Sequence, residues 1–100
     1  MKTKRKNPVT VSVSTSLTDI AKNNPDRVAL MLVNNSVNDI YIDVTSQVSS
    51  SVGFTLVPEG IVSFLVKDHG ALVTDAWFGI ADNNSSDLRV YEIIKVNDEQ

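Results

Sequence analysis

The chain's one histidine stands in Lys67-Asp68-His69-Gly70, where a neighbouring carboxylate could orient the imidazole for general-base work. That chemistry needs a nucleophile held by the ring, and no serine lies in a Gly-x-Ser-x-Gly elbow. Asp, His and Gly are turn formers, so the segment reads as a surface turn. A second candidate is Asp82-Asn83-Asn84-Ser85-Ser86-Asp87, which sets oxygen side chains at alternate positions in the manner of a calcium loop: Asp82, Asn84 and Ser86, with Asp87 beside them. Asp87 occupies the place where the sharp turn requires Gly, and Ile93 stands where a bidentate Glu would close the site. The tip of a strand connection is the better reading, and no metal is assigned.

The rest of the chemical inventory is short. The sequence contains no cysteine, which removes disulfides, thiolate zinc, iron–sulfur clusters and a cysteine nucleophile. It has no Gly-rich phosphate loop and no histidine pair at metal spacing, so an enzyme is not expected and no cofactor is implied. Aromatic residues are few. Trp77 and Phe78 are adjacent in a strand and must send one ring to each face, so that one belongs in the core and the other at a surface. Tyr41, Trp77 and Tyr91 are the candidates for an interface or for stacking on a ligand such as a sugar.

The elements that would position these residues are strands. Val9, Val11 and Val13 alternate with Thr10 and Ser12, the period-2 pattern of a strand with one buried face. Residues 16–27 break that pattern and read as a long loop, with at most one helical turn near Thr18–Lys22. Val28–Val33 is apolar on both faces, as in a central strand covered on each side, and Asn34–Asn38 should turn it into a hairpin with Ile40–Val44. Val52–Val57 and Ile61–Val66 flank the turn Pro58-Glu59-Gly60. An extended connection follows through Ala71–Val73, then the strands Ala76–Ala81 and Leu88–Val96. In the last of these Glu92 interrupts an otherwise apolar face formed by Leu88, Val90, Ile94 and Val96. Without a sustained 3.6-residue apolar period, the reading is all-β: an antiparallel β-sandwich of about 7–8 short strands, jelly-roll or immunoglobulin-like.

One hundred residues suit one domain, expected over 8–97, between a flexible basic N-terminal arm at 1–7 and an acidic C-terminal tail at 98–100. Four of the nine basic residues, Lys2, Lys4, Arg5 and Lys6, fall in the first six positions, which leaves the remainder acidic. An acidic body argues against nucleic acid as a partner. The leader runs into alternating Val and Ser rather than an apolar core, so it is not read as a signal peptide, and no stretch reaches the roughly 20 apolar residues of a spanning helix. Synthesis in a cytoplasm and no membrane partner are the expectations.

Taken together, Asn24-Pro25-Asp26-Arg27-Val28-Ala29-Leu30, Asn34-Asn35-Ser36, Ile40-Tyr41-Ile42, Gly53-Phe54-Thr55-Leu56-Val57-Pro58-Glu59-Gly60 and Ala76-Trp77-Phe78-Gly79-Ile80-Ala81 form a pattern. It resembles small β-sandwich virion structural proteins of tailed bacteriophages, over about residues 24–96. The resemblance implies a non-enzymatic virion component made in the host cytoplasm, above all a capsid decoration or cement protein bound to the major capsid protein. Its alternative is a neck, tail or head-fibre component, and it implies a homo-oligomer, with a trimer as the expected symmetry. The leader lies outside the resemblance. On physical grounds Lys2, Lys4, Arg5 and Lys6 are expected to anchor the subunit to acidic neighbours on the shell. Two other readings remain: a carbohydrate-binding surface module using Trp77 or Tyr91, and a metal-dependent or hydrolytic protein using His69 or the Asp82 loop.

Overall fold

The computed structural model describes residues 1–97; the acidic tail expected at 98–100 lies outside them. Nine strands and two single-turn helices follow one another among the described residues: β1 (Lys2–Arg5), β2 (Val9–Val13), β3 (Thr18–Ala21), β4 (Arg27–Asn34), β5 (Ile40–Asp43), β6 (Phe54–Leu56), β7 (Ile61–Leu65), α1 (Val66–His69), α2 (Ala71–Thr74), β8 (Trp77–Ala81) and β9 (Ser86–Val96). They build two antiparallel sheets, so the expected β-sandwich is the fold.

One sheet runs β7-β4-β9, with β2 and β1 end to end along the far edge of β9; the other runs β3-β8-β5-β6. Setting β1 aside, chain order alternates between the sheets at every connection except β5 to β6. Two four-stranded sheets wound in this order make a jelly roll. The expected hairpin between Val28–Val33 and Ile40–Val44 is therefore corrected: β4 and β5 lie in different sheets, and residues 35–39 arch across the sandwich. The segment between β8 and β9 crosses in the same way. The two strands of each pair enter the common core from opposite sheets.

The core is a single layer between the sheets. Val13, Leu30, Leu32, Phe64, Leu88 and Val90 enter from one side, and Ile20, Ile40, Ile42, Leu56, Trp77 and Ala81 from the other, while Val73 of α2 closes the end. Phe64 stacks on Trp77 with ring centroids 5.1 Å apart. Gly79 lets β3 approach β8, since a Cβ there would stand 2.5 Å from Ile20 Cδ1.

Three further expectations are corrected. Thr18–Ala21 is a strand, not a helical turn; it is short and buries only Ile20, so its sequence carries no period. Residues 66–74 form α1 and α2, parted at Gly70 with φ 56°, instead of a turn and an extended connection. The leader is not a free arm. Lys2–Arg5 pairs antiparallel with Val96–Ile93, and both faces of this edge strand are exposed, so backbone hydrogen bonding alone defines it and no apolar alternation announces it.

Candidate functional site

Strand β4 is not covered on both sides as its apolar composition suggests. Leu30 and Leu32 are buried in the core, whereas Ala29, Met31 and Val33 point to the outer face and are half-buried. Register places Leu65, Ser63 and Ile61 of β7 beside them, and Ile93, Tyr91 and Arg89 of β9 on the other side. The result is an apolar groove on the outside of the sheet. One hollow of about 260 Å³ is lined chiefly by Arg5, Met31, Leu65, Tyr91 and Ile93. A second, of about 310 Å³, shares Ala29, Leu65 and Ile93 and continues towards Met1, Val66 and Lys67. Arg5 and Lys67 thus place cations on the border of an apolar floor.

The four leader cations are not equivalent. Opposite neighbours in the β1–β9 register alternate between faces, so Arg5 and Thr3 share the outer face with Ile93, while Lys2 and Lys4 project from the other face. Lys6 is committed within the chain: its Nζ lies 3.6 Å from Glu92 Oε1. Glu92 also accepts from Arg27 Nε at 2.6 Å, and Arg27 is buried. The remaining guanidinium donors reach the carbonyl oxygens of Val73 at 2.8 Å, Asp75 at 3.1 Å and Lys22. This knot ties the leader, the 22–26 loop, α2 and β9 to the start of β4. Its sequence signal was the carboxylate on the inner face of β9, which requires a cation partner, and the arginine at the head of the most apolar strand was the available one.

The other candidates resolve differently. Trp77 is corrected as an interface or ligand aromatic: it is fully buried, and its Nε1–H donates to Leu72 O at 2.8 Å. Tyr91 does line the outer groove. Tyr41 Oη donates to Asp82 Oδ1 at 3.0 Å, and this hydrogen bond to a carboxylate raises the phenol's pKa above its ordinary value.

The oxygen ligands of the 82–87 loop are occupied by the fold. Asp82 receives Tyr41, and Asn84 Oδ1 accepts from Thr15 N at 3.0 Å. Ser86 is buried, donates to Asn83 O at 2.8 Å and accepts from Asn38 Nδ2 at 3.0 Å. Ser86 therefore turns into the sandwich instead of towards a cation held by Asp82 and Asn84, and the sharp bend falls on Ser85 with φ 62°. Asp87 is exposed and supplies its backbone oxygen to Asn35 N at 3.0 Å. Among the described residues no three of Asp, Glu and His gather in a metal-binding group. His69 is likewise engaged, because its Nδ1 accepts the Leu65 N–H at 3.0 Å and its ring meets the edge of Phe64. That contact takes up the nitrogen an adjacent Asp68 would have had to orient. No family model, curated protein or solved structure matches the chain.

Proposed function

We propose that the chain is a non-enzymatic structural component of a tailed-phage virion, a decoration or cement protein that binds the outer surface of the head shell. The observation that carries the reading is the apolar groove of Met31, Leu65, Tyr91 and Ile93, bordered by Arg5 and Lys67, on a chain whose acidic residues outnumber its basic ones. An outward apolar floor with a cationic border suits a protein partner that presents apolar side chains beside carboxylates, as an acidic shell subunit does. The jelly roll supports the reading by fold-level analogy, since the architecture recurs in viral capsid proteins, though also in lectins and cupins. Many copies on a lattice gain from avidity, so each contact need only be weak.

The test is density-gradient separation of particles from a producing culture, with mass-spectrometric copy counting against the major capsid protein. Hundreds of copies banding with particles are expected of a decoration protein. A dozen or fewer would move the chain to the neck, tail or a fibre, and absence from particles would overturn the virion reading. Deleting residues 1–7 would also uncover the edge of β9, so neutralising Lys2, Lys4 and Arg5 together is the cleaner probe of the leader. Loss of particle binding with an unchanged circular dichroism spectrum is the expected outcome.

A further inference from the structure

The sheet's two edges differ in their protection. The β1 edge carries Lys2, Lys4 and Arg5, the usual defence against strand addition. The opposite edge, β7, is Ile61-Val62-Ser63-Phe64-Leu65, with no charge, no proline and no register shift against β4. Exposed apolar side chains concentrate in this part of the chain: of eleven large ones among the described residues, six lie in residues 52–66, with Ile61 at 62% and Leu65 at 43%.

Backbone geometry shows what this edge can accept. The Leu65 N–H is taken by His69 Nδ1 and not by β4, so it points to the open side. At the other end Asn34 N bonds to Gly60 O at 2.9 Å, on the β4 side. Alternation along the strand then turns the N–H and C=O groups of Ile61 and Ser63 outward as well. No hydrogen bond from a loop or side chain of the described residues reaches them. His69 thus shields one end of the edge and leaves Ile61 and Ser63 open to an added strand.

We propose that β7 pairs antiparallel with β7 of a second copy, about a two-fold axis through Ser63. In that register Ser63 faces Ser63, Ile61 faces Leu65 and Val62 faces Phe64, so every apolar residue meets an apolar residue, and the His69 ring must swing off the Leu65 N–H for the partner's Ile61 carbonyl to take its place. The flanks are complementary too, because the same axis brings Glu59 of each copy to the end where Lys67 of the other lies. Glu59 holds φ 66° in its turn, a left-handed conformation where glycine is the ordinary occupant, so an acidic side chain stands there against local preference. The contact is isologous and closes at two copies, unlike the trimer implied by the family resemblance. It joins two sheets into one and sets two outer grooves side by side. The inference goes beyond the virion reading and does not depend on it.

Sedimentation velocity of the full chain over a concentration series tests it. The 10.9 kDa monomer should pass to twice that mass as concentration rises. Ser63→Lys places two like charges on the axis at an exposed site and should weaken association by about ten-fold or more, with the circular dichroism spectrum unchanged. Glu59→Lys alone should weaken the dimer, and Glu59→Lys combined with Lys67→Glu should restore it. His69→Ala frees the Leu65 N–H for the partner strand and should tighten it. Because the chain has no cysteine, Ser63→Cys gives a unique cross-link: mild oxidation should yield a covalent dimer, while Ser12→Cys on β2 should not. A chain that stays monomeric throughout, a trimer, or a dimer indifferent to Ser63→Lys and to the charge exchange would overturn the proposal.

Discussion

Strand β4 begins and ends on a buried polar side chain, yet its two ends are fastened by different chemistry. Arg27 is ionic: it meets Glu92 at 2.6 Å and spends its other donors on three backbone carbonyls. Asn34 is neutral: its Nδ2 donates to Asn38 O and Leu56 O, both at 2.7 Å, and its Oδ1 accepts from Ser36 N at 3.0 Å and Ser36 Oγ at 2.7 Å. The difference follows the neighbours. The Arg27 end gathers the basic leader and needs a carboxylate between its cations, whereas the Asn34 end sits near Asp39, Asp82 and Asp87, where a further carboxylate would be repelled. An amide has both a donor and an acceptor, so it pins the 35–39 arch and β6 without adding charge.

The comparison can be broken from either end. Arg27→Met should have the largest effect, about 3–5 kcal/mol of stability lost in denaturant unfolding, because Glu92 keeps its charge without its buried partner and three carbonyls lose their donor. A loss below about 1 kcal/mol would show that the knot is incidental to the fold. Asn34→Ala should cost less, about 1–3 kcal/mol, since only neutral hydrogen bonds are broken. If it proved the more damaging of the two, the ranking by charge would fall.

Lys6→Ala sharpens the contrast, as this member of the ionic knot is half exposed and 3.6 Å from Glu92. Its cost should be about 0.2–1 kcal/mol and should fade in high salt, while the Asn34→Ala cost should not change with salt.

Tyr41→Phe is the smallest. The bond from Tyr41 to Asp82 favours the protonated phenol in the folded chain, so its contribution is complete below the ordinary value of 10.0. It disappears as pH rises through the raised value, and thermal melts of the two proteins should converge only in alkali. A difference that persisted there would assign the stabilisation to packing of the ring.

Much of this architecture was legible in the amino-acid order and some was not. Alternation in Val9–Val13 and Ile40–Val44, and the apolar runs of β4 and β8, announced their strands because each buries a face. β1 gave no such sign, since a strand exposed on both faces is defined by hydrogen bonds that side chains do not record. Crossing between sheets was hidden for a similar reason: an Asn- and Ser-rich segment suits a tight hairpin and an arch equally well. The outer groove was half visible, in Tyr91 and Ile93 on one strand and the two-sided apolarity of Val28–Val33, but its depth depends on register. Trp77 and Phe78 were correctly separated by alternation, and only packing decided that Trp77 is the buried ring.

Strand β9 lies between β4 on one side and β1 and β2 on the other, and it follows all of them in the chain. In time, this means that during synthesis the first three strands of that sheet emerge before the strand they share exists. β3, β5, β6 and β8 can assemble earlier, but the inner faces of β2 and β4 must wait with Val13, Leu30 and Leu32 lacking their central neighbour. Closure is a late, long-range event, of the kind that folds slowly and leaves apolar strands open to other chains meanwhile. The temperature and rate of expression should therefore govern soluble yield more strongly than the stability of the finished domain does.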